Sequence, residues 1–149
     1  MGIEHERIHL ETSSVLIRQH QLKYVKTHPA WEPCRNSHAA PQNDLVTIPS
    51  AEFRVGRERS DPIYGWDNEF GRHEASTASF QASRYLVSNQ EFLAFVAAGG
   101  YADDSLWQEE GLGWKKFARA EHPTFWIKDG AQWRLRLMLE EVPMPWDWP

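Results

Sequence analysis

A proline-containing stretch near the N-terminus divides this chain into two parts of different character. The stretch THPAWEPCRNSHAAPQND, residues 27–44, holds three of the nine prolines and has no apolar period, as expected of a linker. Residues 3–24 before it contain neither proline nor glycine, and Ile8, Val15 and Leu22 recur at heptad spacing, which predicts a helix. We therefore divide the sequence into a helical part, a linker and a second part, over residues 1–25, 26–44 and 45–149.

Short runs rich in strand-forming residues follow the linker. LVTIP at 45–49 and EFRVG at 52–56 end in proline and glycine, and residues 73–87 are extended in character. The runs 124–128 and 132–138 are joined through an Asp-Gly dipeptide, which favours a tight turn between strands. These patterns predict short strands, the last two of them paired in a β-hairpin.

The clearest local signal for a helix lies between these runs. Ser88 and Glu91 are spaced as a capping box, an apolar run follows, and Gly99-Gly100 ends the segment. The chain closes with VPMPWDWP, a segment rich in proline and tryptophan that indicates no further regular element. Helices and strands together place the chain in the α+β class.

Composition excludes several classes of protein. The chain has 149 residues, the length of one domain, and its net charge of −5 offers no basic surface for nucleic acid. No apolar run approaches the length of a membrane span. Cys34 is the only cysteine, which excludes an internal disulfide and favours a reducing compartment such as the cytoplasm. The eight tryptophans are predicted mainly to pack the interior, with some lining a pocket.

Two histidines on the predicted N-terminal helix are the candidate metal ligands. At about 100° per residue, His5 and His9 lie within roughly 40° of each other, so both imidazoles could reach one divalent metal. Glu11 lies roughly 160° from His9, too far round a straight helix to share that metal. Catalytic metals usually hold three protein ligands, so this pair is at most part of a site. The alternative is two surface histidines; Cys34 and His38, also four apart, are predicted to be solvated linker residues.

The same letters spell His-Glu-x-x-His, the signature of zinc metallopeptidases, in which Glu6 would be the general base. The longer form of that motif requires glycine and histidine where this chain has Thr12 and Val15. The form with a distant carboxylate could use Glu32, but that residue lies in the proline-broken linker. A zinc peptidase is therefore the weaker alternative.

The string from His5 to Glu11, His-x-x-x-His-x-Glu, resembles the iron-binding helix of the sulfoxide synthases of thiol-histidine biosynthesis. In that family a helical domain like a four-helix (DinB-like) bundle precedes a domain like the formylglycine-generating (sulfatase-modifying factor) enzymes. Residues 52–101 resemble the start of that second domain, with a glycine-containing strand, an Asp-Asn-Glu loop, a strand and an Asn-x-x-Phe helix in the same order. The segments GIEHERIHLETSSVLIRQ and LWQEEGLGWKKFARAEHPTFW are most similar to the ovothiol branch, the 5-histidylcysteine sulfoxide synthases.

The resemblance implies a fold, a cofactor and a reaction. The fold would be the last helix of the bundle, the linker and the first part of a mixed, C-type-lectin-like domain. The reaction would couple the sulfur of cysteine to the imidazole of histidine with dioxygen, and oxidise the sulfur, at an iron(II) held by three histidines. His5 and His9 match two of these ligands. The third ligand and the catalytic tyrosine of the family match no residue of this chain, so no catalytic role falls to its tyrosines, which are Tyr24, Tyr64, Tyr85 and Tyr101.

Three further expectations follow from the resemblance. The chain would be an internal part of a longer enzyme, inactive by itself and prone to self-association, because incomplete domains leave sheet edges unpaired. Its partners would be cysteine, histidine and dioxygen, with neither nucleic acid nor membrane. The alternative class is a non-catalytic binding module of the same fold, in which partner binding would not depend on His5 or His9.

Overall fold

A computed structural model describes residues 2–33 and 39–149 of the chain, and the described residues fall into two compact units. The first unit is Gln42–Leu86 with the first few residues of the N-terminal helix, and the second holds the rest. The helices are α1 (Gly2–Gln19), α2 (Asn89–Ala97) and α3 (Glu109–Ala118). The strands are β1 (Leu45–Ile48), β2 (Ala51–Val55), β3 (His73–Thr77), β4 (Phe80–Ser83), β5 (Trp126–Asp129), β6 (Gln132–Arg136) and β7 (Glu141–Pro143). The predicted α+β class is confirmed, and none of the described helices is long and apolar enough to cross a membrane.

The strands of the first unit form two antiparallel pairs. β1 pairs with β4, with Val46 opposite Ala82, and β2 pairs with β3, with Phe53 opposite Ala75. The predicted strands at 45–49 and 52–56 are confirmed, whereas the extended run 73–87 is two separate strands, β3 and β4. Among residues 42–86, all of which the structure describes, none is buried. The unit therefore depends on backbone pairing and on local polar contacts.

Arg57 provides the densest set of these polar contacts, in the loop between β2 and β3. Its guanidinium donates to the carbonyl oxygens of Ile63 and Tyr64 at 2.7 and 2.8 Å, and it lies 3.4 Å from a carboxylate oxygen of Glu69. Glu69 also accepts from the backbone N–H of Trp66 at 2.9 Å. This backbone hydrogen bond, followed by Arg57, lowers the pKa of Glu69. The Asp-Asn-Glu segment is thereby fixed to Arg57 at the start of the loop.

The hydrophobic core lies in the second unit, around an antiparallel sheet in the order β5–β6–β7. Trp126 on β5, Leu135 on β6 and Met144 just after β7 are the buried hydrophobic residues among those described. Phe92, Leu93 and Val96 of α2 pack against this cluster. The predicted hairpin between β5 and β6 is confirmed, and Gly130 has a φ of +59° at its tip, a conformation that favours glycine.

The C-terminal segment closes the start of α2. The capping box is confirmed, with the Ser88 N–H donating to Glu91 at 2.8 Å and the Glu91 N–H donating to the Ser88 hydroxyl at 3.3 Å. Asn89 donates its backbone N–H to the carbonyl of Trp148 at 2.7 Å and its side-chain amide to that of Pro145 at 3.0 Å. The closing segment VPMPWDWP, predicted to hold no further regular element, begins within β7. The carbonyls after β7 satisfy N–H groups that a helix start leaves unpaired.

α3 is a helix that the sequence patterns above do not predict. Its N-cap, Gln108, makes no side-chain capping hydrogen bond, and glycines at 111 and 113 lower its helix propensity. The helix is held by the side chain of Lys115, which is buried and lies 2.6 Å from a carboxylate oxygen of Asp104. Glutamates in its first turn and lysines in its last turn are the sequence signal that could have located it.

We expect Asp104→Asn to make the free energy of unfolding less sensitive to a fall in pH from neutral to acid values. Lys115, and then Lys116 at 3.1 Å, lower the pKa of Asp104 below its ordinary value of 3.8. A carboxylate with a lowered folded-state pKa stabilises the fold above its unfolded pKa, and this contribution is lost as the pH falls from about 4 through the folded value. Urea denaturation from neutral pH to about pH 3 should show the two proteins converging as the pH falls. A constant difference across that range would contradict the assignment.

Candidate metal-binding helix

The structure places both candidate ligands on α1. His5 and His9 are separated by one helical turn, and both side chains are exposed. Thr12, one turn further along, bonds its hydroxyl to the carbonyls of Ile8 and His9 at 3.1 and 3.3 Å. The hydroxyl of Thr12 thus bonds to the helix backbone, so the imidazoles of His5 and His9 are the candidate metal ligands of this face.

The donor set of this helix suits a divalent transition metal in part. Neutral imidazole is a good ligand for iron, zinc, copper and nickel, and a pair one turn apart can occupy two adjacent coordination positions. No group of three or more histidine, cysteine, aspartate or glutamate side chains that could hold a metal occurs within residues 2–33 and 39–149. Cys34 and His38 lie outside the described residues. His5 and His9 therefore fit two positions of an iron site and leave the remaining positions to other groups.

The C-terminal end of α1 is anchored to the sheet of the second unit. The guanidinium of Arg18 stacks on the ring of Phe125 at 3.7 Å, and its Nε donates to the backbone carbonyl of Arg136 in β6 at 2.9 Å. Arg136 in turn donates to the carbonyl of His20 at 3.3 Å. Burial of the Arg18 side chain, and then the charge of Arg136, lower the pKa of Arg18.

This anchor explains a difference from the predicted helix, which was expected to run to about residue 24. α1 ends at Gln19, and a separate 3-10 turn follows at Leu22–Tyr24. The carbonyl of His20 bonds to Arg136 across to the sheet, so it does not continue the helical ladder. Arg18 is the anchoring residue that sequence reasoning missed. Its only sequence signal was its position as a basic residue in the last turn.

The apolar stripe of α1 is exposed within the part of the chain that the structure describes. Ile8 and Val15, two of the residues whose heptad spacing predicted the helix, are 48% and 43% exposed, and Leu16 is 59% exposed. None of the described residues of α1 is buried. The apolar stripe that a helical bundle would bury is present on α1, but no other described residues cover it. The bundle implied by the resemblance therefore stays a prediction.

We expect Arg18→Gln to loosen α1 from the sheet. The change removes a charged hydrogen bond to a carbonyl and a cation–π contact, together worth about 1–3 kcal/mol. Hydrogen exchange should speed up along α1, and the free energy of unfolding of the second unit should fall by that amount. Arg54→Gln is the matched control, because Arg54 pairs with Glu58 on the exposed surface of β2, where such a pair contributes less than about 1 kcal/mol. Equal effects of the two substitutions would contradict the anchor.

The family of the chain follows from a match over most of its length. Residues 32–135 match the family described as Sulfatase-modifying factor enzyme 1-like domain. That segment contains all of the first unit from Gln42 onward and most of the second unit's sheet. The chain belongs to the sulfatase-modifying factor family.

The relatives include a hercynine oxygenase, an ergothioneine biosynthesis protein and a formylglycine-generating enzyme. Hercynine oxygenase of Mycolicibacterium thermoresistibile is 32% identical over 91 residues, which are 61% of this chain and 20% of the relative. Ergothioneine biosynthesis protein 1 of Neurospora crassa is 28% identical over 109 residues, 64% of this chain and 12% of the relative. Formylglycine-generating enzyme of Thermomonospora curvata is 39% identical over 70 residues, 47% of this chain and 22% of the relative. The chain thus spans about a fifth or less of the length of these relatives.

These names support the resemblance to the sulfoxide-synthase family at the level of the family. One relative is named as an oxygenase and another as a protein of ergothioneine biosynthesis. The third is a formylglycine-generating enzyme, the kind of protein that the second domain was expected to resemble. They do not distinguish the ovothiol branch.

Proposed function

We infer that this chain contributes to an iron(II)-dependent, dioxygen-using sulfoxide synthase of thiol-histidine biosynthesis. The observation that carries the proposal is the arrangement of a helix with two histidines, His5 and His9, ahead of a sulfatase-modifying factor domain and anchored to that domain's sheet through Arg18. Relatives named for hercynine oxygenation and ergothioneine biosynthesis support the oxidoreductase class.

The residues of the chain would have separate tasks in that reaction. His5 and His9 would hold iron(II) through neutral imidazole nitrogens. Bound iron would supply dioxygen activation and a coordination position for the thiolate of the sulfur donor. Arg18, stacked on Phe125, would act as a positioning residue, because it fixes the end of the ligand-bearing helix against β6.

The substrates proposed are cysteine, histidine and dioxygen. The wording of residues 2–19 and 106–126 favours the ovothiol branch, whose members couple cysteine to unmodified histidine. The relatives named hercynine oxygenase make hercynine the competing acceptor. To distinguish the two acceptors, the native protein that carries this sequence is incubated with histidine and hercynine together. Mass spectrometry then shows which of the two has been converted to the sulfoxide product. A product from hercynine alone would overturn the ovothiol assignment and leave the sulfoxide-synthase class standing.

The metal site is tested by anaerobic titration with iron(II). We expect His5→Ala and His9→Ala each to weaken iron binding by about tenfold or more. Loss of a residue that only supports a metal ligand already costs about 10–100-fold in metal affinity, and loss of a ligand should cost at least as much. His73→Ala is the matched control, since His73 is an exposed histidine on β3. Glu6→Gln should leave iron binding intact, whereas a zinc peptidase would lose cleavage on that change. Unchanged iron affinity in both alanine variants would contradict the proposal and favour the non-catalytic binding module.

A further inference from the structure

We propose that a cavity in the second unit binds a zwitterionic α-amino acid, with Arg119 holding the carboxylate of the ligand and Glu121 its ammonium group. The cavity is lined by the ends of α2 and α3 and by the loop that follows α2, and we call it the α2–α3 cavity. Its volume of about 490 Å³ falls within the range of small-molecule sites. None of its lining residues lies on α1, so the inference does not rest on the proposed function.

The two charged residues that carry the proposal lie just after α3. Arg119 and Glu121 are both exposed, both line the cavity, and differ in the sign of their charge. Within residues 2–33 and 39–149, neither side chain forms a hydrogen bond or an ion pair, with the other or with any third residue. A guanidinium matches the geometry of a carboxylate, and a carboxylate accepts from an ammonium group. A ligand that carries both charges can therefore bridge the two side chains.

The remaining charges at the cavity are paired with one another. The carboxylate of Asp104 lies 2.6 Å from the ammonium of the buried Lys115 and 3.1 Å from that of Lys116. These lysines, Lys115 first, lower the pKa of Asp104, which therefore stays ionised and bound to them. The cavity thus offers a ligand one cation and one anion that are free of other partners. That balance favours a zwitterion over a simple acid or a simple amine.

Tyr101 supplies a further polar group to the cavity. Its ring packs against those of Phe95 and Trp107, with centroids 6.0 and 5.2 Å away. Burial raises the pKa of the phenol, so the hydroxyl keeps its proton and can donate it to a carboxylate. No hydrogen bond of this hydroxyl occurs in the described part of the chain. Gly99 and Ala102, which also line the cavity, leave room for the side chain of the ligand.

The backbone at Arg119 is an independent sign of a task for its side chain. Arg119 caps the end of α3 with φ of +49° and ψ of +45°, the left-handed conformation. Glycine is the usual residue at such a helix end, because any side chain there makes the conformation less favourable. An arginine at this position weakens the helix end, and its guanidinium lines the cavity without a partner among the described residues. Strain of this kind is found at ligand-binding positions.

The test is isothermal titration calorimetry of the native protein that carries this sequence, with EDTA present to remove bound metal. L-Histidine, L-cysteine and L-leucine are titrated, and the one that binds best is compared with its decarboxylated amine and its deaminated acid. Loss of either charged group should weaken binding by about tenfold or more, because each makes a charged hydrogen bond. Hydrogen exchange should slow in peptides from residues 96–121. Equal binding of the amine or the acid, or no binding of any of the three amino acids, would overturn the site.

Charge-removing variants assign the two groups. Arg119→Gln and Glu121→Gln should each weaken amino-acid binding by about tenfold or more. Arg84→Gln and Glu52→Gln are the matched controls, since these residues are exposed and lie in the first unit, and they should leave binding unchanged. His9→Ala should leave it unchanged as well, so failure of this site and failure of the iron site are distinguishable. Binding that is insensitive to Arg119→Gln or Glu121→Gln would contradict the assignment.

Arg119→Gly separates a binding role from a structural one. The change removes the guanidinium and also relieves the left-handed conformation. We therefore expect the affinity for the amino acid to fall by about tenfold or more while the midpoint of urea denaturation rises. An arginine kept for the fold alone would lower the midpoint on this change, and that result would overturn the argument from strain. Unchanged affinity in Arg119→Gly would overturn the role of Arg119 in binding.

Discussion

Trp126→Ala is expected to lower the free energy of unfolding of the second unit by about 3–5 kcal/mol. Trp126 is the large side chain at the centre of the core, in edge contact with Phe92 on α2, Trp133 on β6 and Trp146 in the C-terminal segment. Its removal would leave a cavity that joins three elements, and these cannot collapse together without breaking the pairing of β5 with β6. Urea denaturation followed by near-ultraviolet circular dichroism measures the change.

Trp31→Ala is the control for this prediction. It deletes the same side chain from the linker, where Trp31 is 44% exposed, and should cost less than about 1 kcal/mol. Trp126→Phe should fall between the two, because it retains an aromatic ring against Phe92. A loss below about 1 kcal/mol for Trp126→Ala would mean that the core is not centred on this residue.

Gly56→Ala is expected to unfold β2 and β3 locally, with a cost of about 2–4 kcal/mol. Gly56 has a φ of +109°, and a Cβ there would lie 2.3 Å from the carbonyl oxygen of Gly71. Two backbone hydrogen bonds to Arg57 hold the segment that carries this oxygen. The Arg57 N–H donates to the Glu69 carbonyl at 2.9 Å, and the Gly71 N–H donates to the Arg57 carbonyl at 3.0 Å. Because the unit has no buried side chain to compensate, amide hydrogen exchange in β2 and β3 should rise sharply.

Gly71→Ala separates the two causes of that effect, which are the unfavourable backbone φ and the steric clash of the added Cβ. Gly71 also has a positive φ, +141°, but a Cβ there would meet no atom within 4 Å. Its substitution carries only the conformational cost, about 1–2 kcal/mol, and should raise exchange less than Gly56→Ala does. Equal effects would show that close approach of the backbone at Gly56 contributes nothing.

Local sequence signals predicted those elements whose stabilising contacts lie within a few residues. The capping box of Ser88 and Glu91 is closed by hydrogen bonds three residues apart, and the β5–β6 hairpin depends on a turn that Gly130 allows. Both are confirmed because neither needs a distant partner. α3 escaped prediction since the buried Lys115, which holds it through Asp104, looks like any surface lysine in the sequence.

The sequence by itself determined the α+β class, the position of His5 and His9 one turn apart on a helix, and the resemblance that led to the iron proposal. These depend on spacing along the chain, which a sequence states directly. The tertiary structure alone decided where α1 ends, because the Arg18 and Arg136 contacts join residues more than a hundred positions apart. It also decided that the closing Pro-Trp segment caps α2, and that the apolar stripe of α1 stays exposed among the described residues. Such features depend on which surfaces meet, and no pattern in the sequence fixes that until the chain has folded.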